Sequence, residues 1–236
     1  MMRQLLRIFV FLLMLPVAVN AQDEDREIIP VNWKEVKDVA DKDPDKIRGL
    51  VARMSSASKL DTTLTWNERI LAYYGQSYLT PYTESTDGKD LDALMNDGKY
   101  EECLAGAKEL LKKNPVSLKA LFNAAFAIAY ILKDSTVQHN VTREEGQVYN
   151  YRIQRIFNTI AITGDGTEEQ PFYVTAISDE YLFMHYYLEI WEFERQFMTS
   201  HCDGFDLSES SDYYSRPQLF FEITRVLELE RDLFQK

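Results

Sequence analysis

The sequence predicts an α+β fold: a mostly helical N-terminal layer, then a small C-terminal antiparallel sheet of about three strands, then a closing helix. Apolar residues recur at helical spacing from Trp33 to Ile160. Beyond Pro171 the spacing changes to every second residue, which is typical of strands. The last segment, RVLELERDLFQ from Arg225 onward, returns to helical spacing.

The helical layer is predicted from amphipathic stretches separated by breaking residues. Their apolar stripes lie at 33–40, 47–54, 66–78, 100–111 and 149–160. Two helix starts are marked by capping boxes, in which each side chain bonds the backbone amide of the other residue. These pairs are Thr65 with Glu68 and Thr142 with Glu145.

One further helix, Leu118 to Leu132, is apolar nearly all round, with Lys119 and Asn123 as its polar residues. It is too short to span a bilayer, so its apolar surface indicates a buried central helix. We expect the helices of residues 33–163 to pack around it and the sheet to cover one end. The apolar face of the sheet is expected to consist of Phe172, Phe193, Phe197 and Phe221.

The C-terminal region combines strands with one short helix at 179–189. The strands are predicted at 172–177, 191–199 and 217–224. His201 to Gly204 is expected to form the turn between the second and third strands. Gly164 is expected to adopt the left-handed conformation that ends a helix, with Asp165 to Thr167 turning into the first strand.

The N-terminus has the pattern of a secretory signal peptide. Arg3 and Arg7 are basic, residues 8–15 form an unbroken apolar run, and small residues precede the expected cut. We expect cleavage between Ala21 and Gln22, which leaves an exported chain. Because Gln22 is not a cysteine, lipid attachment at the new N-terminus is excluded.

Four segments follow from these patterns: a signal peptide (1–21), a flexible acidic leader (22–32), a repeat-like helical region (33–165) and an α+β region (166–236). The last two are expected to pack as one unit.

The whole chain has 26 basic and 38 acidic residues, and losing Arg3 and Arg7 leaves 24 basic residues and a net charge of −14. Such a surface repels phosphate backbones and anionic lipids, so neither nucleic acid nor membrane is an expected partner after cleavage.

Motifs for catalysis or cofactor binding are absent from the sequence, which has no P-loop, dinucleotide glycine pattern, CxxC or nucleophile elbow. The densest cluster of reactive residues is His201-Cys202-Asp203. Successive side chains of a strand point to opposite faces, so these three cannot meet on one metal ion. Neither a catalytic residue, a metal nor a cofactor is predicted.

The two cysteines, Cys103 and Cys202, do not make a disulfide scaffold in a chain of this length. Cys103 lies on an apolar helical stripe, where a free thiol packs as a small apolar group. A Cys103–Cys202 disulfide stays open as the alternative, because export permits one and sequence cannot show whether the Cβ atoms are close.

A helical hairpin in the first region resembles a tetratricopeptide repeat. Gly98, Tyr100, Cys103, Ala107 and Pro115 stand where that repeat has its turn glycine, aromatic, small residue, core residue and terminating proline. The resemblance covers about one repeat, whereas stable stacking takes about three. It implies a repeat-like hairpin rather than a solenoid.

Four strings, taken in order, resemble the Bacteroidetes domain-of-unknown-function family 4919, whose members are exported proteins of similar length. They are DTTLTWNERILAYYGQSYLTPY (Asp61 to Tyr82), YEECLAGAKELLKKNPVSLKAL (Tyr100 to Leu121), GDGTEEQPFYVTAISDEY (Gly164 to Tyr181) and CDGFDL…LFFEIT (Cys202 to Thr224). Gln76 departs from the pattern, where another aromatic is expected. The resemblance implies one integrated fold and a location in the periplasm, in the envelope or outside a Gram-negative cell, and it implies no functional residue.

The functional interpretation is a non-enzymatic helical adaptor that binds a protein or peptide in the cell envelope. The alternatives are an envelope hydrolase, or a glycan-binding module using exposed aromatics such as Trp66, Tyr73 or Trp191, with its site between helices and sheet. A cleft holding paired carboxylates would favour the hydrolase. A shallow groove without such a pair would favour the adaptor.

Overall fold

Nine helices and four strands lie in the part of the chain that the computed structural model describes, residues 27–56, 63–80, 90–133 and 140–234. The helices are α1 (Trp33–Lys42), α2 (Pro44–Met54), α3 (Trp66–Leu79), α4 (Leu91–Asn96), α5 (Tyr100–Lys113), α6 (Leu118–Ile131), α7 (Arg143–Ala161), α8 (Ile177–Tyr186) and α9 (Thr224–Phe234). The strands are β1 (Phe172–Tyr173), β2 (Phe193–Met198), β3 (Cys202–Leu207) and β4 (Gln218–Glu222). The α+β prediction is confirmed, with the helices first and a closing helix after the sheet.

Local capping sets the helix starts. Thr65 and Glu68 form the predicted reciprocal capping box at α3. At α7 only half of the second box forms: Thr142 accepts the amide of Glu145 at 3.2 Å. The carboxylate of Glu145 instead pairs with Lys108 Nζ on α5 at 2.7 Å, an ion pair that links α7 to α5.

Helix α6 is the central helix, as its all-round apolar character predicts. It packs between α5 and α7 and also contacts α4 and α8. The ring of Phe122 on α6 lies 5.7 Å from Phe157 on α7 and 4.8 Å from Tyr186 on α8. One continuous cluster of buried apolar residues, from Val31 to Val226, contains side chains of both the helices and the sheet.

The sheet has four strands in the order β1-β4-β3-β2 and is mixed, which corrects the predicted antiparallel sheet of three. β1 pairs in parallel with β4, whereas β4 with β3 and β3 with β2 are antiparallel. β1 is shorter than predicted because the chain turns at Thr175 and Ala176 into α8. Helix α8 and strands β2 and β3 thus separate the two parallel strands along the chain.

The turn between β2 and β3 is also placed differently from the prediction. Cys202 and Gly204 belong to β3, and the turn consists of Ser200 and His201. Thr199 N donates to Cys202 O at 2.9 Å, and Cys202 N donates to Thr199 Oγ1 at 3.3 Å. These bonds close a two-residue hairpin loop, so the turn signal of His201-Cys202-Asp203-Gly204 is misleading.

A bulge in β2 overturns the predicted apolar face of the sheet. Phe193 pairs with Leu207 while Arg195 pairs with Asp206, so two residues of β2 oppose one residue of β3. Phe193 therefore packs on the core residue Phe205, with ring centroids 5.1 Å apart. Phe197 points to the opposite face and packs on Phe220 at 5.8 Å.

The loop before β1 contains the required glycine, but at a different position from the predicted one. Gly166, rather than Gly164, has positive φ, at +81°. Gly164 is needed for space, because a Cβ there would overlap the carbonyl oxygen of Pro171. Asp165 accepts a bond from Thr167 N at 3.0 Å and pairs with Arg216 at 2.9 Å, which fixes the loop.

The flexible leader predicted at residues 22–32 does not extend as far as residue 32. Ile29 N donates to Ile162 O at 2.8 Å, and Val31 is buried in the core. Residues 27–32 therefore pack on the fold, because Ile29 and Val31 supply apolar side chains within an otherwise polar stretch. Every helix in the described ranges is too short or too polar to span a bilayer.

Candidate functional site

A polar cleft opens where the end of α3, the turn between α5 and α6, and the start of α8 meet. The cleft is small: the space that the centre of a water molecule can occupy in it is about 20 Å³. It is lined by Tyr73, Gln76, Ser77, Thr80, Asn114, Val116, Ser117, Lys119, Thr175, Ala176, Ser178, Asp179 and Leu229. The cleft thus joins the helical layer to the start of the α+β region, although none of its residues carries a recognisable motif.

The deepest polar contact of the cleft is between Tyr73 and Asp179. The Tyr73 hydroxyl donates to Asp179 Oδ2 at 2.7 Å, and Thr175 Oγ1 donates to the same oxygen at 3.2 Å. Both residues are nearly enclosed, with Tyr73 2% and Asp179 3% exposed. Burial first, and then the Asp179 charge, raise the pKa of Tyr73 well above its usual range. Tyr73 therefore stays protonated as a donor, and the Asp179 carboxylate is bonded within the fold.

One wall of the cleft is built by Gln76 and Thr80 at the end of α3. Gln76 Nε2 donates to Thr80 Oγ1 at 3.0 Å and to Lys113 O at 3.3 Å. Thr80 Oγ1 donates to the same carbonyl oxygen at 3.1 Å. These bonds tie α3 to the last turn of α5, which explains why a polar residue suits position 76 where the family resemblance leads one to expect an aromatic.

The opposite wall is the turn from α5 into α6. Asn114 Oδ1 accepts from Val116 N at 3.2 Å, and Ser117 Oγ accepts from Ala120 N at 3.3 Å. Ser117 is thus the N-cap of α6, the kind of position that sequence can indicate. Lys119 brings a cation to this wall and pairs with Asp92 at 3.0 Å.

A buried arginine fixes α9 behind the cleft. The Arg225 guanidinium donates to Ser77 Oγ at 3.1 Å and to Ser77 O at 2.8 Å, and it lies 3.9 Å from the Tyr78 ring centroid. It also pairs with Glu228 at 2.9 Å. This anchor places Leu229 of α9 in the cleft lining.

The two cysteines are both buried and free, so the alternative of a Cys103–Cys202 disulfide is not formed. Cys103 lies on α5, with its Sγ 3.5 Å from Leu91 O, whereas Cys202 lies on β3. Burial, with a smaller contribution from a nearby carboxylate, raises the pKa of each thiol to about 11. The predicted cleavage residues, Ala21 and Gln22, lie outside the described residues.

The His201-Cys202-Asp203 cluster does not converge. His201 is exposed, with Nδ1 2.8 Å from Ser200 Oγ, and Cys202 and Asp203 are buried on opposite faces of β3. Within the described ranges, no group of three or more acidic, histidine or cysteine side chains is placed to hold a metal ion.

The aromatic residues named for glycan binding lie in three different environments. Tyr73 is buried, so it cannot serve as an exposed platform. Trp66 is partly buried against the core, with the Arg69 guanidinium 4.8 Å from its ring centroid. Trp191 stacks on His185, with ring centroids 4.9 Å apart and planes 9° apart. Only Tyr73 of these three lines the cleft.

The family model for a domain of unknown function, DUF4919, matches residues 37–231. Comparisons with curated proteins and with solved structures give no significant match. The matched range includes the whole lining of the cleft, from Tyr73 to Leu229. The cleft therefore lies within the unit that the family model describes, and the chain belongs to the DUF4919 family.

Proposed function

We propose that this protein is an exported, non-enzymatic helical adaptor that binds a protein or peptide partner in the cell envelope of a Gram-negative bacterium. The supporting observation is the composition of the cleft between the helices and α8. Its lining is rich in hydroxyl and amide side chains, each of which can donate and accept hydrogen bonds. Such groups suit the alternating N–H and C=O groups of a peptide backbone.

The carboxylate content of the cleft favours binding over hydrolysis. Asp179 is the one carboxylate in the described lining, and Tyr73 and Thr175 both donate to it. Hydrolysis of glycosidic bonds by a carboxyl pair requires two such groups on either side of the substrate bond. A single enclosed carboxylate instead positions the start of α8.

The hairpin of α4 and α5 supports the adaptor part of the proposal. Gly98 has φ of +75° at the turn between these helices, where the tetratricopeptide resemblance places its glycine. α5 then leads into α6 through Asn114 to Ser117, part of the cleft wall. The turn that follows this hairpin thus forms one wall of the proposed peptide site. The signal-peptide pattern supports export, and the family resemblance supports a Bacteroidetes envelope protein.

Site-specific photo-crosslinking tests this proposal in native envelope fractions. A photoreactive residue at Lys119, in the cleft lining, is compared with one at Lys112, whose side chain is 70% exposed on α5 outside the lining. We expect the protein with the photoreactive residue at position 119 to give a discrete polypeptide adduct. The protein with that residue at position 112 should not give this adduct.

The captured polypeptide is then purified and its affinity measured directly. Ala176→Arg places a long cationic side chain in the cleft, and Ser215→Arg makes the same change of charge at an exposed residue outside the lining. We expect the first variant to lose at least about tenfold in affinity, equal to about 1.4 kcal/mol, and the second to bind as the wild type does. Equal binding by all three proteins would contradict the cleft as the site, and release of soluble sugars from envelope polymers by the wild type would favour the hydrolase.

A further inference from the structure

The outer edge of strand β2 is open. β2 is the last strand in the order β1-β4-β3-β2, so β3 covers only one of its two edges. Thr199 N donates to Cys202 O at 2.9 Å, which shows that the backbone of Thr199 faces β3. Because the hydrogen-bonding direction alternates along a strand, the N–H and C=O groups of Gln196 and Met198 point away from β3. Within the described ranges no residue forms a backbone hydrogen bond with these groups.

The side chains along this edge leave the backbone accessible. Glu194, Arg195 and Gln196 are exposed, and the side chain of Met198 is 60% exposed. Methionine is a flexible apolar residue that adapts its shape to another chain. An open strand edge beside an exposed apolar side chain is the kind of surface to which an extended peptide adds as a further strand.

The charge around β2 selects the kind of peptide that fits. Glu192, Glu194 and Glu209 are exposed carboxylates near the start of the strand, and Glu209 Oε1 is held there by the N–H of Glu192 at 3.2 Å. None of the three forms an ion pair with another described residue. Arg195, in contrast, is neutralised by Asp206 at 2.7 Å. The excess of negative charge at this edge attracts a basic segment.

A second copy of this chain fits the edge less well than a basic peptide does. The chain has 38 acidic and 26 basic residues and a net charge of −12, so two copies repel each other. The bulge between Phe193 and Arg195 also disfavours pairing between two identical edges. A short peptide needs only the regular part of β2, from Arg195 to Met198.

We propose that the open edge of β2 binds an extended, basic segment of another polypeptide, which adds to the sheet as a fifth strand. The main chain of the segment bonds the outward N–H and C=O groups of Gln196 and Met198. Its apolar side chains contact Met198, and its basic side chains face the carboxylates of Glu192 and Glu194. None of the residues that line the cleft belongs to β2, so this surface does not depend on the proposed function.

Amide NMR of the isotope-labelled mature chain tests the proposal with three synthetic peptides of about nine residues. One alternates lysine with valine, and a second alternates glutamate with valine. The third is the lysine–valine peptide with two adjacent central prolines, which remove N–H donors from both of its edges. We expect the first peptide to shift the amides of Gln196 and Met198, with at least about tenfold higher affinity than the other two. Raising the salt concentration from about 20 mM to about 500 mM should weaken this binding several-fold.

Two pairs of variants separate main-chain pairing from charge. Met198→Pro removes an outward N–H, whereas Met198→Ala shortens the side chain and keeps that N–H. We expect Met198→Pro to bind the lysine–valine peptide at least about threefold more weakly than Met198→Ala does. Glu194→Gln keeps the backbone unchanged and should lose about twofold in affinity at low salt. Glu230→Gln, at an exposed position of α9, should bind as the wild type does.

Equal affinity of Met198→Pro and Met198→Ala, or of the lysine and glutamate peptides, would overturn the proposal. Shifts confined to the amides of Ser117 and Ser178 would overturn it as well, because they would assign the peptide to the cleft. A dimer in sedimentation that Met198→Pro abolishes would assign the edge to a second copy instead. An absence of shifts in β2 would overturn this proposal alone and leave the cleft proposal standing.

Discussion

The hydroxyl of Tyr73 and the carboxylate of Asp179 form a 2.7 Å hydrogen bond between residues 106 positions apart. It connects α3 of the helical layer to α8 of the α+β region. Because both residues are buried, this one contact joins the two regions at the base of the cleft. The buried aromatic face of α3 thus also carries a polar group that positions a helix far along the chain.

Replacement of this hydroxyl tests its contribution to stability. Tyr73→Phe keeps the ring and leaves Asp179 with fewer donors, so we expect a loss of about 1–3 kcal/mol in the free energy of unfolding. Tyr100→Phe, at a partly exposed ring stacked on Tyr130, is the control. Urea denaturation measures the free energy of unfolding of both variants. A loss below about 0.5 kcal/mol for Tyr73→Phe would show that the bond contributes little.

Two glycine-to-alanine substitutions are expected to change stability in opposite directions. At one position the backbone conformation requires glycine, and at the other glycine only lowers the helix propensity. Gly166 has φ of +81°, and a Cβ there would lie 2.7 Å from Tyr214 Oη and 2.9 Å from a methyl carbon of Leu219. We expect Gly166→Ala to destabilise the protein by about 2 kcal/mol or more. Gly49 in α2 has open space around its Cβ position, so Gly49→Ala is expected to stabilise by about 0.5–1 kcal/mol. Opposite shifts of the urea midpoint are the expected outcome, and a neutral Gly166→Ala variant would refute the assigned backbone conformation.

The cysteines provide a chemical test of the core. Both thiols are buried, and burial raises their pKa values to about 11, so neither should react with a thiol reagent in the native protein near neutral pH. Both should react once the chain is unfolded in the absence of reductant. Cys103→Ala should cost less than about 2 kcal/mol, because it removes a small buried group. An unfolded, unreduced chain with no reactive thiol would instead reveal a disulfide.

Export remains a prediction from the sequence. The expected mature N-terminus is Gln22, after cleavage following Ala21. N-terminal sequencing of the protein recovered from the periplasm or medium measures this directly. A start far from Gln22, or retention of Met1 in the exported fraction, would contradict it.

The sequence predicts best those features that depend on short-range patterns. Helix α6 is identified because its apolar character extends all round, and α3 because Thr65 and Glu68 stand at capping-box spacing. The bulge after Phe193 has no such local signal, and it reverses the face of Phe197. The parallel pairing of β1 with β4 depends on contacts between Phe172 and Phe221, which lie 49 positions apart.

The cleft cannot be predicted from the sequence either, because it has no local sequence signal. Its lining comes from α3, the α5–α6 turn, α8 and α9, which only the tertiary fold brings together. Ser117 could be recognised as an N-cap, but nothing near it in sequence indicates that it lines the same cleft as Thr175 and Ser178.

We infer that the helices and the sheet form one cooperative unit, with the cleft between them. Calorimetry of a mature chain truncated after Gly164 tests this most directly. We expect this chain to be insoluble, or molten without a sharp transition, because α6, α7 and Tyr73 lose the buried surface supplied by α8 and the sheet. A sharp two-state melt, with a heat-capacity change of about 12–15 cal/mol/K per residue, would contradict the claim and divide the chain into two domains.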